Sequence, residues 1–385
     1  MDNTINQNFK LNKHPHSIYL DDALYNEIAN APVEGKSFSN KVNKILYDYV
    51  NGNKKDKFAR RKKKNQKDVI KFIDLFAGIG GIRLGFQGET NDTKCVYSSE
   101  WDKFAQKTYE ANFGDVPQGD ITKVNAEDIP SFDVLLGGFP CQPFSSIGKR
   151  EGFANKTQGT LFFDVLRILK YHMPKAFLLE NVPGLLTIQN GETFKTILAA
   201  LNEAGYDVSD AVLNAADFGL AQERKRVIMV GFRKDLHVEN FSFPKGTKKD
   251  VYIDSVLEDS PIGYSVSKKL QQNYLFKKDD GRPFLVNKNS KKKAKTINAS
   301  YHKIQRLTGT FVEDGETGIR LLSQTECLRL QGFPDQFKIP VSRTQMYRQM
   351  GNSVAVPVIK AVSKNIKEIL HDIACNEEPV QLDLI

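Results

Sequence analysis

The sequence predicts an α/β protein built on a doubly wound, mostly parallel sheet, with a small second domain near its C-terminal end and a helical extension at its N-terminus. Three observations predict it. Between Val69 and about Arg233, short apolar runs alternate with amphipathic stretches of helical period, the pattern of successive strand–helix units. From about residue 234 to residue 319 that rhythm stops, and Lys, Asn, Ser and Gly dominate. Ahead of residue 69 lie a short segment of mixed periodicity and a dense run of positive charge.

Taken in order, residues 14–51 read as a unit of their own, within an extension spanning 1–53. His16-Ser17-Ile18-Tyr19-Leu20 alternates as a strand does. Ala23, Leu24 and Ile28 share a helical face, and Val42, Ile45, Leu46 and Tyr49 share another. Residues 54–68 form a linker in which the stretch Lys54–Lys67 carries nine basic residues and one acidic residue. Such a run suits a solvated tether and also contact with phosphates.

The catalytic candidate spans 69–244, with strands at 70–76, 94–99, 132–138, 176–179 and 227–231 and helices at 161–171 and 193–203. Residues 245–319 read as a separate recognition domain. Residues 320–373 return to the main sheet through a helix at 354–371, and 374–385 form a tail.

Composition narrows the function. Lys+Arg 55 against Asp+Glu 46 leaves +9, which favours a polyanionic partner. Cys95, Cys141, Cys327 and Cys375 lack metal-ligand spacing, so neither a zinc site nor a disulfide framework is expected, and no metal. Cys95 and Cys327 sit among apolar residues as packing positions. No apolar run approaches the roughly 20 residues that span a bilayer, and no leader precedes the folded part, so a reducing cytoplasm and no membrane are expected.

Four short segments carry chemistry. Phe72-Ile73-Asp74-Leu75-Phe76-Ala77-Gly78-Ile79-Gly80-Gly81 is a strand that ends in a glycine loop, where backbone approaches a ligand at a helix N-terminus. The next strand ends at Glu100, an acceptor for ribose hydroxyls, beside Trp101, a cover for an adenine. Gly138-Phe139-Pro140-Cys141-Gln142 sets a cysteine in a tight turn after the apolar run Phe132–Gly137, a place suited to a reactive thiolate. Glu180-Asn181-Val182 and Gln222-Glu223-Arg224-Lys225-Arg226 follow. In the second of these, alternation puts Gln222, Arg224 and Arg226 on one face.

These segments, in this order, resemble the DNA cytosine-5 methyltransferases of bacteria and phages. The resemblance covers about residues 69–373 and none of the N-terminal extension. It implies the S-adenosylmethionine-dependent methyltransferase fold and a cofactor site at Phe76, Gly78, Gly80, Glu100, Trp101, Asp120, Ile121, Pro140, Asn352 and Ser353. In the family, Asp120 matches the carboxylate that binds the adenine amino group. The resemblance implies that Cys141 adds to C6 of a flipped-out cytosine, which turns C5 into a nucleophile. Glu180 then serves N3 and reads N4, Arg226 approaches O2, and Arg224 contacts phosphate or supports the site.

Duplex DNA contacts are expected from Gln142, Ser145, Arg150, Gln222 and Lys293, and from Thr296, Ser300 and Tyr301 in a Thr-Ile-Asn-Ala-Ser-Tyr element of the recognition domain. The stretch Phe144–Phe153 resembles the loop that closes over the flipped base. The resemblance also implies a paired restriction endonuclease, with no direct contact, and a catalytic monomer.

Three other readings bear on the chain. A tRNA-directed relative would carry a Cys-Phe-Thr signature in the recognition region, and this chain has none. A nicotinamide dehydrogenase would need G-x-G-x-x-G at the first loop. The N-terminal unit resembles a ribbon-helix-helix DNA-binding element, which would dimerise and let a methyltransferase also repress a promoter; the alternative is a helical hairpin docked on the main domain.

Overall fold

The computed structural model describes residues 5–11, 14–20, 69–140, 161–238, 240–247 and 249–377. The chain divides into two compact units, Met1–Lys67 and Asp68–Ile385. In the first, β1 (Ile5–Leu11) pairs antiparallel with β2 (His14–Leu20), in register from Ile5 with Leu20 to Leu11 with His14. The strand expected at 16–20 lies within β2, and its partner within the chain was not expected. The helices expected between 23 and 49 and the basic run 54–67 lie outside the described residues.

The second unit is organised by a six-stranded sheet. Its strands are β3 (Ile70–Leu75), β4 (Thr93–Ser99), β5 (Val134–Gly137), β6 (Ala176–Asn181), β7 (Tyr206–Asn214) and β8 (Lys225–Arg233). Their order is β4-β3-β5-β6-β8-β7. Strands β4, β3, β5 and β6 are parallel, and β8 runs antiparallel to both neighbours. Strands β5 and β6 are buried throughout, which their unbroken apolar runs require.

Strand β7 was not expected. It is an edge strand with mostly half-exposed residues, so its sequence lacks an apolar run and its pairing rests on the backbone of β8.

Helices cover both faces. The α1 (Gly81–Gln87) and α7 (Val356–Glu377) helices pack on the face presenting Phe72, Val134 and Leu178, with Ile359, Val362 and Ile366 as α7's contribution. The α3 (Phe162–His172) and α4 (Glu192–Glu203) helices cover the opposite face of Ile73, Leu135 and Phe177. The α2 helix (Lys103–Phe113) is capped by Asp102, whose carboxylate accepts from Phe104 N at 2.9 Å.

Residues 253–312 carry little regular structure beyond the short parallel pair β9 (Phe284–Val286) and β10 (Thr310–Val312). They nonetheless bury Ile253, Leu275, Val286, Ile297 and Phe311 in one core with α5 (Gln324–Gln331) and α6 (Arg343–Asn352). A capping box of Ser323 and Glu326 starts α5. Beneath it, Arg320 is fully buried and forks onto Glu326 with both N···O distances at 2.8 Å. Among the described residues no helix is long and apolar enough to cross a membrane, and no cluster could hold a metal ion.

Candidate active site

The chain enters the sheet at β3, moves to β4 on one side and returns to β5 on the other, so the strand order reverses beside β3. A ligand crevice is expected outside the carboxyl ends of strands at such a point. A cavity of about 560 Å³ opens there. The segments after β3, β4, β5 and β6 line it, together with the end of α6.

One end of the cavity gathers glycines, carboxylates and aromatic rings. Gly80 precedes α1 at φ 85°, and a Cβ there would stand 2.2 Å from the Phe113 ring, so only glycine fits. Gly78 faces open space, which leaves its backbone accessible. Glu100, 8% exposed, accepts from Gly78 N and from Asp102 N at 2.8 Å each. Those two bonds aim the carboxylate and leave each oxygen further acceptor capacity; burial raises its pKa, opposed by the same backbone donors.

Phe76, Ile121 and Trp101 supply apolar walls, and Trp101 is 77% exposed. Asp120 accepts from the N–H and hydroxyl of Thr122 through one oxygen, at 3.1 and 2.8 Å. Asn352 lines the cavity beside Ser353, whose buried hydroxyl has no partner among the described residues. Two carboxylates, two aromatic rings and an orphaned hydroxyl around such a volume fit an adenosine-bearing cofactor.

The other end holds an ion pair. Glu180 is the last residue but one of β6, 9% exposed, and its Oε1 lies 2.9 Å from Nε of Arg226. This pairing depends on β8 being antiparallel: its first residues lie beside the last residues of β6, with Asn181 opposite Val227. Burial raises the Glu180 pKa, and Arg226 and Arg224 pull it back. Gly138 is close by, for a Cβ built on it would stand 3.7 Å from Glu180 Oε2. Asn181 ties the strands together, donating to Phe139 O at 2.9 Å. Pro140 lines the cavity. Cys141, Gln142, Ser145 and Arg150, with the expected closing loop, lie outside the described residues.

The expectation for Gln222, Arg224 and Arg226 needs correction. All three alternate inward, but β8 begins only at Lys225, and the three side chains serve different places. Gln222 is fully buried; it donates to Leu330 O at 2.8 Å and accepts from Ile297 N at 2.9 Å, so it faces no DNA. Arg224 is 1% exposed and donates to the carbonyls of Ile297 and Gly351 at 3.0 Å and to that of Ser353. It pins the last residues of α6 to the segment around Ile297, which is the supporting one of the two roles that the resemblance implies. At the same junction a Cβ on Gly351 would lie 2.1 Å from Asn298 C and Ala299 N, so two backbones meet there.

Arg224→Ala leaves those carbonyls buried and unpaired, and is expected to lower unfolding stability by roughly 3–5 kcal/mol. Lysine should not restore it, lacking the planar fork. Denaturant unfolding checks this, and unchanged stability with lost turnover would return Arg224 to the chemistry.

Tyr301 is corrected likewise: it is 2% exposed, donates its hydroxyl to Thr310 O and accepts from Leu322 N at 3.1 Å. Thr296 donates to Glu223 O, Ser300 accepts from Gln305 at 2.9 Å, and Lys293 pairs with Asp250 at 3.0 Å. Those three are half-buried.

Sequence reasoning missed Asp74, which lies on β3 below the glycine loop. It is fully buried, and neither carboxyl oxygen has a hydrogen-bond partner among the described residues. Burial pushes its pKa up to about 8, Arg83 opposes, and Glu100 adds to the rise; the Tyr109 hydroxyl opposes slightly from outside hydrogen-bonding geometry. The stability that its proton contributes is complete below about pH 4 and lost as pH rises through about 8. Asp74→Asn should flatten the wild-type decline in stability over that window, measured by unfolding at several pH values; a parallel decline in both proteins would contradict it. A lone acid in an apolar strand was the available signal.

The model of the C-5 cytosine-specific DNA methylases matches residues 70–368. The chain is similar to the Type II methyltransferase M.BsuFI of Bacillus subtilis, 54% identical over 92% of both chains. It is also similar to M.MspI of a Moraxella species, 48% identical over 98% of this chain and 91% of the relative. Among solved structures, the Entamoeba histolytica methyltransferase EhMeth matches 79% of this chain and 98% of its own at a TM-score of 0.62 with 23% identity, a likeness of fold. With the family model spanning the whole cavity-bearing sheet, the chain belongs to the C-5 cytosine-specific DNA methylases and is a DNA (cytosine-5) methyltransferase.

Proposed function

We propose that the protein transfers a methyl group from S-adenosyl-L-methionine to C5 of a cytosine flipped out of duplex DNA, through a covalent adduct between Cys141 and C6. The observation that carries the reading is the Glu180–Arg226 pair at 2.9 Å, buried at one end of the cavity beside the turn that leads to Cys141. Glu100 and Asp120 would hold the ribose and adenine, between Phe76 and Trp101, with Asn352 and Ser353 beside them. The cofactor, when bound, supplies an electrophilic methyl on a positive sulfur.

The protein's part follows from the placed groups. The Cys141 thiolate adds to C6, and the ring electrons move toward N3 and C5. Glu180 shares its proton with N3, which its raised pKa favours. Arg226, held by the same carboxylate, offers donors to O2. C5, made nucleophilic by the adduct, would then face the methyl that the cofactor supplies, and the sulfur would leave as the neutral thioether. The C5 proton then leaves to water, and the thiolate departs as the C5–C6 double bond reforms. A base inside the stack is closed to this approach, so the cytosine must flip.

Similarity to Type II methyltransferases supports a place in a restriction-modification system, with a paired nuclease acting on the same sequence. Work on DNA in the bacterial cytoplasm follows from that reading. A second role for the N-terminal unit, dimerising and repressing a promoter, is favoured only by the basic run, since β2 already pairs with β1 within the chain along one edge.

The test is incubation with methyl-labelled S-adenosylmethionine and, separately, duplex DNA and tRNA, then bisulfite sequencing. Protected cytosines within one recurring short sequence are expected. Label in tRNA alone, or none in either, would overturn the reading.

A further inference from the structure

Among the described side chains that line the cavity, four are acids: Glu100, Asp102, Asp120 and Glu180. Two of the described lining side chains are cations, Arg226 and Arg348. Arg226 is bound to Glu180 at 2.9 Å. Arg348 is exposed and has no ion pair or hydrogen bond among the described residues. It stands on α6 one turn before Asn352, and at that i, i+4 spacing the two share a helix face toward the cavity. That face is held in place on both sides. The neighbouring Gln349 is buried and accepts from Thr108 Oγ1 of α2 at 3.0 Å, and Arg224 grips the carbonyls of Gly351 and Ser353.

We propose that Arg348 binds the α-carboxylate of the cofactor's amino-acid end; this rests on the cofactor reading above. An acid-rich wall suits the sulfonium and ammonium charges of such a molecule, and repels its carboxylate unless a cation meets it. Among the described residues, Arg348 is the cation of the wall not already committed to another group. Its planar fork matches a carboxylate bidentately, and its place beside Asn352 lets an amide share the same anion. The Glu180–Arg226 pair, at the reacting end, is thereby left for the base.

The test is calorimetric binding of two ligands to the full chain and to Arg348→Gln. S-adenosylhomocysteine carries the carboxylate, and 5′-methylthioadenosine lacks the whole amino-acid end. Arg348→Gln should weaken S-adenosylhomocysteine by roughly ten- to a hundredfold, the range of a charged hydrogen bond, and leave 5′-methylthioadenosine unchanged. Arg348→Lys should recover part of the loss. Equal weakening of both ligands would make Arg348 a wall of the nucleoside site and overturn the proposal. Unchanged S-adenosylhomocysteine affinity with weaker, less salt-dependent binding of duplex DNA would reassign Arg348 to a phosphate. A wild-type protein that binds neither ligand would remove the cofactor reading itself, before Arg348 is at issue.

Discussion

Cys141→Ala is expected to lower methyl transfer by on the order of 10⁴-fold or more, because no other group can supply the bond to C6 that makes C5 a nucleophile. Affinity for S-adenosylhomocysteine should be unchanged, for the groups that would hold it end at Pro140 on this strand. The described residues that lead to Cys141 support the assignment. β5 delivers Gly138, Phe139 and Pro140 to the cavity, and Asn181 fixes Phe139 O from the next strand. A denaturant-stable complex with duplex DNA carrying 5-fluorocytosine checks the bond directly, since a fluorine at C5 cannot leave as a proton does. The wild type should form it and Cys141→Ala should not. Residual turnover in the alanine variant would sink the covalent route.

Glu180→Gln is expected to lower turnover by about 10²–10⁴-fold, the usual contribution of a positioned acid. Glutamine keeps the shape and can still face Arg226, so the fold and the cofactor site should survive. What it loses is the proton. Burial raises the Glu180 pKa, Arg226 and Arg224 lower it again, and the net direction is upward. The acid therefore keeps its proton to higher pH than an ordinary glutamate, and the wild-type rate should fall as pH rises through its pKa. Glu180→Gln should lack that limb. Single-turnover rates across pH in both proteins decide it, and an unchanged rate or an identical profile would remove the proton-sharing role.

The central parallel strands were legible because they are buried on both faces, and burial on both faces demands long apolar runs, which the edge strand β4 lacks. The runs around Phe72, Leu135 and Leu178 therefore announced β3, β5 and β6. The glycine loop was legible for a different reason: Gly80 meets Phe113 so closely that no side chain fits. Edge strand β7 was not legible, since backbone pairing leaves no side-chain pattern. Nor was α6, whose buried residues Met346, Tyr347 and Met350 are interleaved with Gln and Arg.

The candidate site divides the same way. The glycine loop and the carboxylates near the strand ends are local features, and the sequence by itself determined them, along with the family and the end of the sheet where the cavity opens. Which arginine meets Glu180 was decided by tertiary structure. Alternation alone puts Arg224 and Arg226 on one face, and only the resemblance set them apart; the antiparallel approach of β8 to β6 is what brings Arg226 to the carboxylate while sending Arg224 to three carbonyls. The burial of Gln222 and the arrival of Arg348 at the cavity depend likewise on segments more than 70 residues apart meeting, as in the Gln222–Ile297 and Gln222–Leu330 bonds, and Tyr301 is buried by packing on Leu322 and Tyr347. Local sequence sets what a residue can do chemically; long-range packing sets which partner it reaches, because hydrogen bonds act over only about 3 Å.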